Sequence, residues 1–448
     1  MMRARRRAPL ACVALCFGCG PEAEVRPQWR VSIQTDAPVP QFGDRLLVEV
    51  ETEPPSECVG CTRQFGVEAL DAWPISFGVL PVPNARIRVR ARLYRSQTVA
   101  FDGGPPKIGL LDRSAYLAPS PDGVSEVDLL LGMSCFGSSP PEGSDLTCHP
   151  DTGQLGPTVD LDEAHIDVAP GSWPPAATVP CVGDVPAEMR CIPGGAFLLG
   201  DVTSYSIHPV LDPVPERLAR VDPFLLDERE MTVATIQSLL DAGELSGLPT
   251  AHDPDPVSAA HACTYSTDPA YQDLPINCIS FGLAAEACDA LKKRLPTEAE
   301  WEFAAAGRVN ESPFPWGTNT DICAHARVGW GVKSIFTEAS EDVSCGGLIG
   351  GEAGPSAEGH PLDVSPEGIR NLAGNLAEWV ADDYARYTEA CWHPEQHLLE
   401  NPLCLPGPNP TKSHRGASFA DVPFLARTTY RLGGQPAPST YRGVRCAR

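Results

Sequence analysis

Arg294-Leu-Pro-Thr297-Glu-Ala-Glu300-Trp301-Glu302 is the stretch from which the rest of this chain can be read. Thr297 is placed to cap a helix, its side chain accepting from the Glu300 N–H while the Glu300 carboxylate reaches back to the cap's own N–H. Gly307 then stops a short helix over 298–306. Because a capping box accounts for Thr297 and Glu300, the carboxylates Glu298, Glu300 and Glu302 read as fold determinants and not as a catalytic set. General acid–base work would need a partner in a cleft. Asp382 and Asp383 carry the same ambiguity.

Further segments follow in order around that stretch: Ile192-Pro-Gly-Gly-Ala-Phe-Leu-Leu-Gly200, Pro223-Phe224 with Glu230-Met-Thr232, Ile279-Ser-Phe281, Pro315-Trp-Gly317, Gly374-Asn375-Leu-Ala-Glu378-Trp379, Arg415-Gly-Ala-Ser418-Phe419 and Gly443-Val-Arg445. Together they resemble the successive signatures of the formylglycine-generating enzyme, or sulfatase-modifying factor, family. The resemblance implies an α+β fold over residues 180–448, related to C-type lectins, rich in loops and poor in long helices, with Trp301 in its core. Helices are expected to begin near Thr232, Phe281 and Glu298, the second capped by Ser280. Fold and function remain separate questions.

The family's chemistry rests on two cysteines after the Arg-Gly-Gly-Ser motif, which bind copper(I) and turn oxygen into an oxidant for a substrate cysteine. Copper(I) is soft and wants thiolates. Counted from Arg415, the two positions fall on Asp421 and Ala426. Asp421 offers a hard oxygen and Ala426 offers nothing, although Ser418 keeps the motif serine. Arg427, Tyr430 and Arg431 fit the arginine-rich pattern of relatives without the cysteines. Copper is therefore not expected. A compensating copper site would have to draw on Cys391, Cys404 and His414, and a structural bridge between the two cysteines is the competing reading.

Calcium is the family's second cofactor, held by oxygen ligands. Asn375 and Glu378 match one of its loops and offer amide and carboxylate oxygens; a turn role for Asn375 is the alternative. At the other loop the matching pair reads Ala324-His325 or Ala326-Arg327, and neither a cation nor an imidazole suits calcium.

Seventeen cysteines raise the question of compartment. Arg3, Arg5, Arg6 and Arg7 precede the apolar stretch 8–18, too short to span a bilayer but suited to a secretory signal. Gly18-Cys19 resembles a bacterial lipoprotein cleavage site, so residues 1–18 are expected to be a signal peptide and Cys19 a lipidated N-terminus. That implies an exported envelope protein, of outer-membrane lipoprotein type, touching the membrane through its lipid anchor only. Setting aside Cys12, Cys16 and Cys19 leaves 14 cysteines, an even number that suggests disulfides. Proximity proposes Cys58–Cys61, Cys135–Cys148, Cys181–Cys191, Cys263–Cys278, Cys323–Cys345 and Cys391–Cys404. The remaining two, Cys288 and Cys446, match a long-range disulfide of the resembled family. In His393-Pro-Glu-Gln-His397, Pro394 argues against the helix that a zinc motif needs.

Loss of residues 1–18 would remove four arginines and no acid, taking the formal charge from −24 to −28. Such a chain repels nucleic acid and anionic membrane surfaces. The one basic cluster, Arg86, Arg88, Arg90, Arg92 and Arg95, reads as the solvent face of one strand. It belongs to residues 27–165, where strands at 29–33, 46–51, 85–94 and 127–131 suggest an all-β sandwich-like domain. Residues 166–179 are Pro-rich and read as a linker.

These readings favour a non-catalytic binding module over an enzyme. The family-like domain would present loops to a peptide, a glycan or a partner protein. The alternative is a copper-dependent oxidase of formylglycine-generating type with a diverged metal site. If the old cleft survives as a binding surface, Ser418, Phe419, Asp421, Phe424, Arg427 and Trp379 are expected to wall it.

Overall fold

A computed structural model describes residues 26–55, 60–99, 103–118, 121–161, 166–201, 213–253, 263–329, 345, 354–393, 397–405 and 411–448. The proposed signal peptide, Cys19, Cys58 and residues 394–396 of the histidine pair's loop lie outside them. Among the described residues no helix is long and apolar enough to cross a membrane.

The N-terminal strands alternate as the sequence suggests, and two sheets result. Strands β1 (Gln28–Thr35), β4 (Ile75–Val79) and β7 (Val124–Leu131) form one sheet, with β1 antiparallel to β4 and parallel to β7. The other has the order β10-β6-β5-β2-β3, built on β2 (Arg45–Glu53), β3 (Thr62–Gly66), β5 (Arg86–Tyr94), β6 (Leu111–Leu117) and β10 (Asp160–Leu161). Val31, Ile33, Val48, Val89, Leu93, Leu129 and Leu131 meet in a single buried cluster, which fits the sandwich expectation.

The arginine row differs from an open solvent face. Arg88 is bound by Glu51 at 2.9 Å, Arg90 by Asp112 at 2.8 Å and Arg92 by Glu49 at 2.5 Å, an ion-pair ladder across neighbouring strands. Arg95 leaves the row altogether and is buried. It follows Arg92 by three residues, so it falls out of the period of two and off the shared face.

The expected linker lies against the sandwich. Trp173 packs edge-on to Phe42 with ring centroids 6.4 Å apart, and its backbone N–H donates to the Asp36 carbonyl at 3.0 Å. Leu198 and Leu218 of the C-terminal part belong to the sandwich's own core cluster.

Beyond the linker, β11 (Met189–Ile192) pairs with β14 (Phe224–Asp227), and β12 (Gly195–Leu199) with β13 (Arg217–Val221). A four-stranded sheet follows the order β18 (Arg431–Gly434), β17 (Lys412–Arg415), β15 (Ala377–Asp383), β19 (Arg442–Gly443). Helices α1 (Val233–Asp241), α2 (Phe281–Ala290) and α3 (Glu298–Ala305) start where expected, capped by Thr232, Ser280 and Thr297. Both hydrogen bonds of the capping box at Thr297 and Glu300 form. This is a loop-rich α+β unit.

Six expected disulfides are formed: Cys135–Cys148, Cys181–Cys191, Cys263–Cys278, Cys288–Cys446, Cys323–Cys345 and Cys391–Cys404. Cys61 is also disulfide-bonded. Cys288–Cys446 closes a span of 158 residues and ties the chain end beside α2. Backbone bonds between Arg294 and Ala447 and between Leu225 and Arg448 secure the same end. A cross-link of that span restricts the unfolded chain strongly, so the double change Cys288→Ala, Cys446→Ala should lower unfolding stability by about 2–5 kcal/mol in denaturant titrations.

Candidate functional site

The site expected from the sequence lies on the chain between β17 and β18, and a buried ionic hub holds that chain from below. Glu298, in the first turn of α3, is fully buried; its Oε1 accepts from Arg431 Nε at 2.5 Å and Arg415 Nη1 at 3.2 Å. Its Oε2 accepts from Ser413 Oγ at 2.9 Å and Arg431 Nη2 at 3.0 Å. One turn on, Glu302 accepts from Arg415 Nη2 and from the Gly200 N–H. Asp382 of β15 accepts from the Glu298 N–H at 2.6 Å and the Cys404 N–H at 2.7 Å. The spacing of Glu298 and Glu302 puts both carboxylates on one face of α3, toward two strand arginines.

Above the hub, β17 ends at Arg415 and the chain turns at Gly416, whose φ is 74°. A Cβ there would lie 2.8 Å from Leu372 O and 3.1 Å from the Trp301 ring, so both conformation and space demand glycine. The turn closes on Asp421, whose Oδ2 accepts from the Ser418 N–H and the Ser418 hydroxyl, each at 2.7 Å. Burial raises the Asp421 pKa, and the Ser418 bonds work against that rise. Ala426 is fully buried at the end of a short 3₁₀ turn over Pro423–Leu425. The two positions expected for copper ligands thus hold a carboxylate that satisfies its own turn and a packed methyl group. Cys391 and Cys404 are bridged, and the His414 imidazole is pushed down to about 3 by burial and then by Arg442. Neither set of residues fits copper(I).

The expected ligand wall divides. Ser418 and Phe419 are buried, Phe419 beside Tyr441, and Phe424 is half-buried in the same cluster. Trp379 sits in a different cluster, its Nε1 donating to Ile279 O at 3.2 Å and its ring covered by Phe281, His414 and Arg442. Arg427 turns the other way, over the Phe314 ring at 5.5 Å, and lines a cleft of about 210 Å³ with Arg95, Glu216, Glu302 and Glu311.

Asn375 and Glu378 are both fully buried. Asn375 has φ 71°; its Nδ2 donates to both Glu230 oxygens and its Oδ1 accepts from the Ser356 N–H at 2.8 Å. Glu378 is held by Arg445 at 2.7 Å and by Trp301 Nε1 at 2.8 Å. A carboxylate already neutralised by a guanidinium does not fit calcium, whose charge that guanidinium would oppose. The turn reading of Asn375 is the one its geometry supports.

Residues 179–448 match the sulfatase-modifying factor enzyme 1-like domain. The chain belongs to this family. It is 29% identical over 183 residues to the formylglycine-generating enzyme of Mus musculus, covering 39% of this chain and 44% of that protein. The corresponding enzyme of Thermomonospora curvata is 27% identical, with 39% and 55% covered. A Bos taurus relative named "Inactive C-alpha-formylglycine-generating enzyme 2" is 28% identical, with 39% and 50% covered. The matched segment therefore spans about half the length of these relatives. Among solved structures, PvdO from Pseudomonas aeruginosa is 20% identical and aligns over 58% of this chain and 93% of its own, with a TM-score of 0.42.

The sequence reading placed α3 and its cap correctly but did not foresee the hub. The signal was present: three acids in the first turns of a helix, and single arginines at the ends of two later strands. Removing one member leaves an uncompensated buried charge, so Arg431→Met should destabilise the fold by about 3–5 kcal/mol in chemical unfolding.

A pH dependence follows from the other buried acids. Burial raises Glu230 and Asp382 to about 8 and Asp363 to about 7, helped in each case by a neighbouring glutamate. In the unfolded chain such groups titrate near 4, so the folded state holds more protons between these limits and loses stability as pH rises. His414 has the opposite slope, but only below about 6.5. Thermal melts should therefore give a lower Tm at pH 8.5 than at pH 6.5; a flat or rising profile would contradict the charge assignments.

Proposed function

We propose that this is an exported, lipid-anchored bacterial envelope protein whose sulfatase-modifying-factor-like domain is a pseudoenzyme that binds a peptide, glycan or partner protein. The observation that carries the reading is the pair Asp421 and Ala426 at the expected copper positions, one tied to Ser418 and the other packed in the core. Copper(I) chemistry on a substrate thiol needs soft ligands. Cys323 and Cys345, which share a core cluster with Ala426, form a disulfide, and so do Cys391 and Cys404. A relative named as inactive fits a family in which the fold outlives the reaction. Asp421, Phe424, half-buried next to its turn, and Arg427 are the parts of the expected wall that reach solvent. The oxidase alternative would need a thiolate pair brought in from elsewhere.

The deciding experiment is a turnover assay. A sulfatase-type cysteine peptide incubated with the protein, copper, oxygen and reductant should show no formylglycine by mass spectrometry. Product that appears only with copper would overturn the pseudoenzyme reading. For the anchor, palmitate labelling and membrane fractionation should both be lost in Cys19→Ser. Phe424→Ala should cost only about 1–2 kcal/mol of stability, as suits a partly covered ring; a larger loss in a denaturant titration would make Phe424 a core residue and not a binding wall.

A further inference from the structure

The family domain covers one end of the sandwich, where Arg95 Nη1 donates to Glu311 at 2.9 Å and Gln41 donates to Ala196 O at 3.3 Å. The sides are a separate matter. Among the described residues the two sheets have four edge strands, β3, β4, β7 and β10. An open edge presents unpaired backbone groups, and a charge on the strand ordinarily discourages another chain from pairing there. β3 carries Arg63, β7 carries Glu126 and Asp128, and β10 carries Asp160. β4 reads Ile75-Ser-Phe-Gly-Val79 and carries no charge. It pairs with β1 on one side only, so alternate N–H and C=O groups face outward, and no partner among the described residues meets them.

The sheet of three strands also faces a sheet of five. On one side β7 packs against β6 and β10, which closes that side. The shortfall therefore lies beyond β4, where the inner face of β3 has no strand opposite. Pairing shows which residues belong to that face: Phe65 stands beside Leu46 and Arg63 beside Val48, and Leu46 and Val48 are both core residues. Phe65 is accordingly only half-buried, as are Trp73, Ile75 and Phe77 at the same rim of the core. Leu70 and Leu80, before and after β4, are 60% and 54% exposed. Two polar groups stand in this apolar rim. The Trp73 indole N–H, on the chain that joins β3 to β4, is buried without an acceptor, which costs stability until something accepts from it. Arg63 is exposed and forms no ion pair among the described residues.

We propose that the free edge of β4 is a docking site for an extended peptide of a partner protein, which adds a fourth strand to the short sheet. The peptide turns alternate apolar residues toward Phe65 and Phe77, with one acid in that series for Arg63. Main-chain bonds to β4 supply affinity, and the alternating side chains supply selection. The formal charge of −24 does not oppose that acid, because at physiological salt charges beyond about 8 Å are screened and Arg63 acts within that range. A second copy of this chain fits less well. Its own β4 brings no acid to Arg63, and its β3 competes for the same gap.

Fluorescence anisotropy with the full chain tests this. The probe is a labelled synthetic peptide alternating valine and threonine with one valine replaced by aspartate, compared with the same peptide carrying lysine there. The aspartate peptide should bind saturably, and more tightly than the lysine peptide by about two- to fivefold, the size of a partly exposed ion pair. Arg63→Glu, at an exposed position, should reverse that order. Should that variant not fold, loss of the preference in Arg63→Gln decides. Amide hydrogen exchange on the complex should slow within Ile75–Val79 and stay unchanged in β7 and β10. Absence of saturable binding, a preference unmoved by the Arg63 changes, or protection gained at β7 or β10 instead would overturn the proposal. So would a peptide-free chain that dimerises with protection of Ile75–Val79, since the occupant would then be a second copy.

Discussion

Glu298, Glu302, Arg415 and Arg431 are the constraint on which the family domain depends. Each is fully buried, and taking such charges out of water costs several kcal/mol per ion. That cost is offset only when the partners arrive together with their hydrogen bonds made. In this chain they arrive from α3, β17 and β18, so the helix cannot shift by a residue without stranding a charge. Arg431 is further enclosed by the rings of Tyr387, Tyr384 and Trp392, its guanidinium 4.1, 4.9 and 5.8 Å from their centroids. Such a hub adds less to net stability than an apolar core of equal volume would. What it supplies is a single permitted arrangement in a domain with short helices and short strands.

A second pair extends the same logic to the chain end. Glu378 accepts from both Trp301 and Arg445, joining α3, β15 and the C-terminal segment in one network. Cys288–Cys446 fixes the neighbouring residue covalently. The motif residues that a reader meets as isolated signatures along the sequence are therefore mutual partners. Their common purpose is to hold the strands that flank the 416–430 segment, and that purpose is indifferent to whether the segment carries out a reaction.

What the sequence made legible follows local physics. Helix starts at Thr232, Ser280 and Thr297 depend on cap chemistry within three or four residues, and all three are where the caps put them. Strands β1, β2, β5 and β7 declare themselves by alternation. Proximity in sequence paired the local cysteines, because a short loop of chain cannot separate them far. The partners of Glu298 and Arg95 were not legible, since they lie more than a hundred residues away and depend on how sheets stack. The same limit affected Trp379 and Phe419, which were expected on one wall but face different clusters in the fold. Asn375 and Glu378 look like free oxygen donors until Glu230 and Arg445 are seen to occupy them.

Position 421 shows how a carboxylate at an expected copper position is built into its own turn. The Asp421 carboxylate accepts two hydrogen bonds from Ser418, and its carbonyl accepts from the Gly329 N–H at 2.7 Å. Ser418 is buried, so its N–H and hydroxyl would lose their partner if a thiol stood there, at a cost of order 1–3 kcal/mol for each unsatisfied group. Position 426 is closed in a different way: Ala426 is fully buried in a cluster with Val422, Leu425 and Tyr430, where a larger side chain would overpack the core. Two cysteines reintroduced at these sites would therefore meet a turn already organised around an acid and a core already filled. The ionic hub lies beneath this segment and reaches its far end, where Arg415 Nη2 donates to Thr428 O at 2.9 Å. The hub thus anchors the strands on either side of the turn that Asp421 closes.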